Sequence, residues 1–270
     1  MALHIETPLL NSRALSLHSD RAIWLKLEAL QPPGSFKIRG IGLACEEYAR
    51  RGASRFISSS GGNAGIAVAY AGRQLGIPVI VVVPETTSAR ARALIAQEGA
   101  EVIVHGAAWQ EANALAQAML TAQDAFLHPF DDPLLWQGHA GMIDEVASAG
   151  LKPDAVVLSV GGGGLLAGVA EGLQRNGWDD VALVAVETEG AASLAAAVAA
   201  REHVALPSVA SIATSLAARQ VCAQAYAISQ TRLLHSVVVS DKAAVDACQR
   251  FIDDQRLVVE PACGAALAAV

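Results

Sequence analysis

Short apolar runs alternate with helix-forming stretches through most of this chain, and the alternation limits the possible folds more than any other feature. Between residues 55 and 130 four strand-like runs are separated by three helical stretches: RFISSS, IPVIVVVP, EVIVHG and AFLHPF. Continuously apolar runs are typical of parallel strands buried on both faces, and the helical stretches are long enough for right-handed crossovers. The pattern predicts an open, doubly wound α/β sheet.

A second series of strands and helices follows the first. It begins at DAVVLSV, continues through GLLAGVAEGLQRNG and VALVAVE, and returns at SVVVSD. Two doubly wound open-sheet domains are therefore predicted: a small one at residues 43–139 and a large one built from residues 1–42 and 140–270. Because no linker rich in Pro, Gly or Ser separates them, we expect the domains to pack closely, with a ligand-binding cleft between them.

Composition and charge remove several classes of function. Hydrophobic residues make up 53% of the chain, and a formal net charge of −7 without a basic run argues against nucleic-acid binding. No apolar run is long enough to cross a bilayer. The scattered cysteines form no C-x-x-C pair, which favours reduced thiols over a zinc site or a disulfide framework. We expect a cytoplasmic protein that acts on a small molecule, with neither a nucleic-acid nor a membrane partner.

Two glycine-rich turns each stand between a strand and a helix, at residues 58–65 (SSSGGNAG) and 161–168 (GGGGLLAG). In that position backbone N–H groups can approach an anion closely, and the helix N-terminus adds partial positive charge. Such glycines also make ordinary tight turns, but four in succession carry a high cost in backbone entropy. The second turn lacks the G-x-x-x-x-G-K-[ST] pattern, which disfavours a nucleoside triphosphatase.

The second turn also fits a different ligand. Gly162, Gly164 and Ala167 match G-x-G-x-x-A, and Glu187 ends the next strand, where a dinucleotide-binding protein places its ribose-binding acid. An NAD-binding dehydrogenase is therefore an alternative on this pattern alone. It leaves the first turn and Lys37 without a role.

Lys37 lies in an unusual frame, GSFKIRG, between Phe36 and Ile38. Partial desolvation there would lower the pKa of its amine toward the neutral nucleophile that a Schiff base needs. An aldehyde cofactor bearing a phosphate would give all three features a role: Lys37 would bond the aldehyde, the tetraglycine turn would hold the phosphate, and Asn63 would hydrogen-bond the ring hydroxyl.

Five motifs together resemble the pyridoxal-phosphate-dependent serine/threonine dehydratases of the tryptophan-synthase-β-like fold (fold type II): GSFKIRG, SSGGNAG, FDDPLLWQGHA, LSVGGGGLLAG and VEPACGAALAAV. The resemblance covers nearly the whole chain. The third motif and the tetraglycine are similar to the catabolic L-serine dehydratase and L-threonine deaminase branch. The resemblance implies an active site in the interdomain cleft and a homodimer.

The resemblance also implies a role for each matching position. Lys37 would be the Schiff-base lysine and catalytic base, and Phe36 would lie against one face of the cofactor ring. The phosphate would be held by Gly161, Gly162, Gly163 and Gly164. Ser60, Gly61 and Asn63 would hold the substrate carboxylate, with Asn63 also touching the cofactor. A monovalent cation such as K⁺ would be bound by the Glu187 side chain and by the backbone carbonyls of Gly161, Ala191, Leu216 and Ala218.

The implied activity is deamination of L-serine to pyruvate and of L-threonine to 2-oxobutyrate, each with release of ammonia. The alternatives are serine racemase or another β-elimination enzyme of the same fold, and a cofactor-binding scaffold without turnover. Many dehydratases carry alanine where this chain has Gly61, so we expect a looser pocket. The family also has a late strand with a Cys or Ser facing the pyridine nitrogen, which these 270 residues do not include.

Overall fold

The structure is a computed structural model that describes residues 2–270. The strands are β1 (Leu9–Asn11), β2 (Trp24–Lys26), β3 (Arg55–Ser58), β4 (Val79–Val83), β5 (Glu101–Val104), β6 (Asp124–Phe126), β7 (Ala155–Ser159), β8 (Ala182–Thr188) and β9 (Leu234–Val239). The helices are α1 (Arg13–Ser19), α2 (Lys37–Arg50), α3 (Asn63–Leu75), α4 (Ala89–Gln97), α5 (Trp109–Ala118), α6 (Pro133–Ser148), α7 (Gly164–Arg175), α8 (Ser193–Ala200), α9 (Ala223–Thr231), α10 (Asp241–Gln255) and α11 (Pro261–Ala268). Within residues 2–270, no helix is both long enough and apolar enough to span a membrane.

The chain divides into two compact units. The first holds the residues up to Thr7 together with Glu28–His139, and the second holds Pro8–Leu27 together with Ala140–Val270. The division into a small domain (43–139) and a large domain (1–42 with 140–270) stays a prediction.

The first unit is built on a four-stranded parallel sheet in the order β5-β4-β3-β6. All five residues of β4 are buried, as expected for a central strand with helices on both faces. On one face Phe56, Val81 and Val83 pack with α2 and α3. On the other face Ile57 and Val82 pack against α5. The doubly wound parallel sheet predicted from the continuous apolar runs is confirmed.

The second unit contains a three-stranded parallel sheet in the order β7-β8-β9 and a separate antiparallel ribbon of β1 and β2. One core cluster joins Val186 of β8 to Leu216 and to Ala265 of α11. Helix α10 begins at the N-cap Ser240, whose hydroxyl accepts a hydrogen bond from the N–H of Ala243. The α/β class is confirmed for this unit as well.

Candidate functional site

Lys37 is the first residue of α2, and Phe36 is the N-cap residue before it. The Lys37 amine lies 2.5 Å from the carbonyl oxygen of Pro129, to which it donates a hydrogen bond, and 5.3 Å from the centroid of the Phe36 ring. Both side chains are half-buried. The helix start therefore places a primary amine beside an aromatic face and a fixed carbonyl, and this combination suits a lysine that reacts with an aldehyde.

The carbonyl belongs to a loop, residues 127–132, where the sequence predicted a longer strand through AFLHPF. The strand β6 ends at Phe126 instead. Pro129 has no N–H for a sheet ladder, and the His128 imidazole Nδ1 accepts the N–H groups of Phe130 and Asp131, at 3.3 and 2.7 Å. The loop thus replaces ladder hydrogen bonds with local ones.

The far end of this loop is tied to the neighbouring helices. The indole N–H of Trp136 donates to the carbonyl of Phe130 at 2.9 Å. Asp132 accepts the N–H of Leu134 at 2.8 Å and the hydroxyl of Tyr48 at 2.6 Å. The Asp132 carboxylate thus caps the start of helix α6. The motif FDDPLLWQGHA is therefore the structural frame of the loop.

His139 lies behind Phe36 and is fully buried. Its imidazole meets the Phe36 ring edge-on, with centroids 5.0 Å apart, and neither ring nitrogen has a hydrogen-bond partner among the described residues. Burial, and then the positive charges of Lys37 and Arg39, hold the pKa of His139 well below its usual value. The imidazole is neutral at physiological pH.

The close approach that brings His139 to α2 depends on two glycines. A Cβ atom at Gly40 would lie 2.6 Å from the His139 ring and 2.8 Å from the Cα of Leu135. A Cβ atom at Gly138 would lie 2.7 Å from the Cα of Gly40. Helices α2 and α6 thus cross with their backbones in close contact, about one turn after Lys37.

The first glycine turn follows β3 and opens α3. Helix α3 begins at Asn63, with Gly62 as its N-cap residue, and the N–H of Gly62 is 3.4 Å from the Ser60 hydroxyl. The N-terminus of a helix, with a hydroxyl and an amide beside it, suits a carboxylate because it favours negative charge. The space that a methyl group at Gly61 would take is filled by Thr87, whose Cγ2 and Oγ1 are each 2.7 Å from that point.

The first glycine turn and the loop of residues 127–132 follow the carboxyl ends of neighbouring parallel strands, β3 and β6. The chain leaves β3 toward β4 on one side, while β6 is added on the other, so this is the switch point of the sheet. The Ser58 hydroxyl donates to the carbonyl of Leu127 across the two strands at 3.1 Å. Within the first unit, Phe36, Lys37, Ser60, Gly61 and Asn63 therefore belong to elements that meet at the edge where open α/β sheets bind ligands.

The tetraglycine turn lies in the second unit, between β7 and α7. Gly163 has a φ of 89°, in the left-handed region, and a Cβ atom there would overlap the Cβ of Ala225. A Cβ atom at Gly161 would lie 2.9 Å from the Cα of Leu216. The N–H of Cys222 donates to the carbonyl of Gly162 at 2.9 Å. At Gly161 and Gly163 only glycine fits this backbone, and the turn leads into the first N–H groups of α7, which suit an anion.

Glu187 is fully buried at the end of β8, and its carboxylate accepts the N–H groups of Leu194 and Ala195, both at 2.8 Å. Burial raises the pKa of Glu187 to about 7, while hydrogen bonds from the α8 backbone oppose the shift. The side chain thus caps α8, a geometry that does not suit a ribose-binding acid. Leu216, an implied cation ligand, accepts the N–H of Ala218 at 2.7 Å. The cation ligand set stays a prediction.

Three site residues were not anticipated from the sequence: Pro129, Tyr48 and His139. Pro129 acts through its backbone, which no residue pattern marks. His139 lies in the third motif, but it meets Phe36 only because α6 crosses α2. Tyr48, on α2 itself, joins the site through its hydrogen bond to Asp132. Among residues 2–270, no three His, Cys, Asp or Glu side chains group as a metal site.

Comparison with known proteins assigns this chain to a family of enzymes. The model of the family described as "Pyridoxal-phosphate dependent enzyme" matches residues 2–270, and the chain belongs to that family. The human L-serine dehydratase/L-threonine deaminase is 48% identical over 99% of this chain and 83% of its own length.

Two solved structures are similar over almost the whole chain. A fungal L-serine ammonia-lyase from Rhizomucor miehei has a TM-score of 0.94 at 36% identity, covering 99% of this chain and 86% of that one. Maize serine racemase has a TM-score of 0.90 at 26% identity, covering 98% and 81% respectively. Family membership replaces the NAD-binding interpretation of the glycine turn.

The residues of this chain fit the family's cofactor. Taken by itself, the first unit has an amine beside an aromatic ring. Taken by itself, the second unit has a turn in which a Cβ atom at Gly161 or Gly163 would collide with its neighbours. A phosphate suits such a turn because its oxygens accept N–H groups at a helix start. The Lys37 amine suits the aldehyde.

Proposed function

We propose that this chain is a pyridoxal-phosphate-dependent ammonia-lyase that deaminates L-serine to pyruvate and L-threonine to 2-oxobutyrate. The observation that carries the proposal is the Lys37 amine, held 2.5 Å from the Pro129 carbonyl at the switch point of the sheet. The human L-serine dehydratase/L-threonine deaminase, which is 48% identical to this chain, supports the same substrates.

Lys37 would hold the cofactor and, once displaced by substrate, take the α-proton of the amino acid on its Nζ atom. The bound cofactor supplies the electron sink that makes this proton acidic. Phe36 would lie against one face of the ring, and its own ring meets the His139 imidazole edge-on. Because the imidazole is neutral and buried, it adds no positive charge beside Lys37.

The two glycine turns would position the reacting groups. The backbone of Gly161, Gly162, Gly163 and Gly164 would hold the phosphate at the start of α7. Ser60, Gly61 and Asn63 would hold the substrate carboxylate at the start of α3, and Asn63 would also contact the cofactor hydroxyl. Each turn combines N–H donors with a helix N-terminus, which favours negative charge.

We propose a monovalent cation, such as K⁺, near Glu187 and the carbonyls of Gly161, Ala191, Leu216 and Ala218. The buried carboxylate supports it, since a cation would offset the cost of burying a negative charge. If the site exists, KCl raises the melting temperature of the wild type above its value in tetramethylammonium chloride, and does so less in Glu187→Gln. Equal melting temperatures of the wild type in the two salts would count against the cation.

We also propose a cytoplasmic homodimer with a small amino-acid substrate. Cys45 and Cys248 are buried thiols outside any disulfide, which suits a reducing compartment. Sedimentation of the purified chain tests the dimer, and fractionation of expressing cells tests the location.

Serine racemase is the second candidate, because the maize enzyme has a TM-score of 0.90 over 98% of this chain. The two activities differ in product, so D-serine and pyruvate are measured in the same reaction mixture. Dominant pyruvate supports the lyase, and dominant D-serine supports the racemase.

The central test uses Lys37. Wild-type protein with pyridoxal phosphate should develop a visible absorbance band, and borohydride should fix the cofactor on Lys37. Lys37→Ala should lose the band and lower keto-acid formation by about 10²–10⁴-fold or more. Lys152→Ala, at an exposed ion pair with Asp180, is the matched control. Full activity of Lys37→Ala would overturn the proposed function.

A further inference from the structure

The hydrogen bond between Lys37 and Pro129 joins residues that are far apart in sequence. The donor is an amine and the acceptor is a buried backbone carbonyl, 2.5 Å away. At this distance the two atoms are in direct hydrogen-bond contact, with no room for an intervening group. A backbone carbonyl cannot rotate away as a side chain can, so its position depends on the loop that carries it.

We propose that the Pro129 carbonyl holds the Lys37 amine whenever that amine is not covalently engaged, and that Tyr48 is the positioning residue that fixes the carbonyl through Asp132. The inference rests on the proposed function, in which Lys37 must leave and rejoin the cofactor in every cycle. It assigns a role to Tyr48 and to the FDDP part of the third motif.

Beyond Leu127, whose N–H donates to the carbonyl of Ile57 in β3 at 2.8 Å, the loop leaves the sheet ladder. Residues 127–132 follow the end of β6, and the N–H groups of Phe130 and Asp131 point to the His128 imidazole. These contacts shape the loop but do not attach it to α2, the helix that carries Lys37. A separate contact has to set the distance between the loop and that helix.

Tyr48 supplies this contact. It stands about three turns after Lys37 on α2, and its hydroxyl donates to Asp132 at 2.6 Å. The second carboxylate oxygen of Asp132 accepts the N–H of Leu134 at the start of α6. One rigid helix is thus linked to the loop twice, by Lys37 at Pro129 and by Tyr48 at Asp132.

A fixed acceptor has a kinetic consequence. An amine that is held in one place reacts with less loss of orientational freedom than one that samples many rotamers. Loosening the loop should therefore slow the bonding of Lys37 to the cofactor aldehyde. A purely structural hydrogen bond would alter stability without altering that rate.

The test compares Tyr48→Phe, which removes only the hydroxyl, with Tyr70→Phe, which removes a hydroxyl on α3 in the same unit. Cofactor-free protein is mixed with saturating pyridoxal phosphate, and the first-order growth of visible absorbance is recorded. Amide hydrogen exchange at Phe130 and Asp131 is measured on the same samples. A second pair, Asp132→Asn with Asp131→Asn as control, changes the acceptor instead of the donor.

We expect Tyr48→Phe to slow the first-order step about five- to twentyfold and to speed amide exchange in the loop at least about threefold, while Tyr70→Phe matches the wild type. Asp132→Asn should act in the same direction. If Tyr48→Phe misfolds, the comparison of Asp132→Asn with its control Asp131→Asn tests the inference instead.

Rates within about twofold of the wild type in both Tyr48→Phe and Asp132→Asn would overturn the inference while leaving the proposed function in place. Slowed bonding with unchanged loop exchange would also overturn it, because Tyr48 would then act by another route. A wild-type protein that forms no visible band would overturn the proposed function and, with it, this inference.

Discussion

The guanidinium of Arg39 and the carboxylate of Glu28 form a two-pronged ion pair, Nε to Oε2 at 2.7 Å and Nη2 to Oε1 at 2.8 Å. The Arg39 side chain is fully buried. The Thr7 hydroxyl donates to the same carboxylate at 2.6 Å. Because Arg39 stands two residues after Lys37, this pair anchors the start of α2 to the beginning of the chain.

Arg39→Met should destabilise the protein by about 3–5 kcal/mol, because it leaves the Glu28 carboxylate without its cation in a partly buried site. Urea unfolding measures the change. Arg50→Met, in an exposed pair with Glu47, should cost less than about 1 kcal/mol. The double variant Arg39→Met with Glu28→Leu should recover part of the loss. Similar small losses at Arg39 and Arg50 would contradict the prediction.

His139→Leu should leave the protein as stable as the wild type or more stable at pH 8. The substitution removes two buried nitrogens without partners, each of which costs about 1–3 kcal/mol, and leucine has a similar volume. The melting temperature measures the effect. His139→Ala, which leaves a cavity, is the comparison and should be destabilising. A loss of stability in His139→Leu as large as in His139→Ala would mean that the imidazole makes contacts that leucine cannot replace.

The pH dependence of stability should differ between the wild type and His139→Leu. The pKa of His139 is lowered in the folded protein, so below pH about 6.5 the unfolded state binds a proton that the folded state excludes. Stability that is complete above that pH is therefore lost on acidification, by up to about 1.4 kcal/mol per pH unit for this group. Urea unfolding between pH 5 and 8 should show a shallower slope in His139→Leu. His128, whose pKa is also lowered by burial, contributes to both proteins.

Gly61 and Thr87 should be energetically coupled. A methyl group at Gly61 meets the Thr87 side chain, so Gly61→Ala should cost about 1–3 kcal/mol by overpacking. Thr87→Ala removes both γ atoms, and the double variant should recover about 1 kcal/mol or more relative to additivity. The kcat/KM for L-serine should fall in Gly61→Ala and recover in part in the double variant. Additive effects in unfolding and unchanged kinetics in Gly61→Ala would refute both this coupling and the pocket effect expected at Gly61.

Much of the fold could be predicted because it depends on local pattern. The run Val79–Val83 is apolar at every position, and such a strand is stable only when helices cover both faces of its sheet. The tetraglycine turn could also be predicted from the sequence. Its glycines are needed because Gly163 has a φ of 89° and the Ala225 side chain leaves no space for a Cβ atom there. The end of β6 was predicted wrongly. Two backbone N–H groups donate to the His128 side chain instead of to a neighbouring strand, and a hydrophobic pattern does not show such hydrogen bonds.

The α/β class, the strand-to-helix turns that suit anions and the lysine that suits an aldehyde could be predicted without coordinates, because each follows from residue type and spacing. The surroundings of that lysine depend instead on how distant segments pack. Gly40 and Gly138 let two helices touch, which places His139 behind Phe36, and a loop ending at Asp132 brings a carbonyl to the amine. These partners lie about a hundred residues from Lys37, so their chemistry depends on packing distances that no local pattern contains.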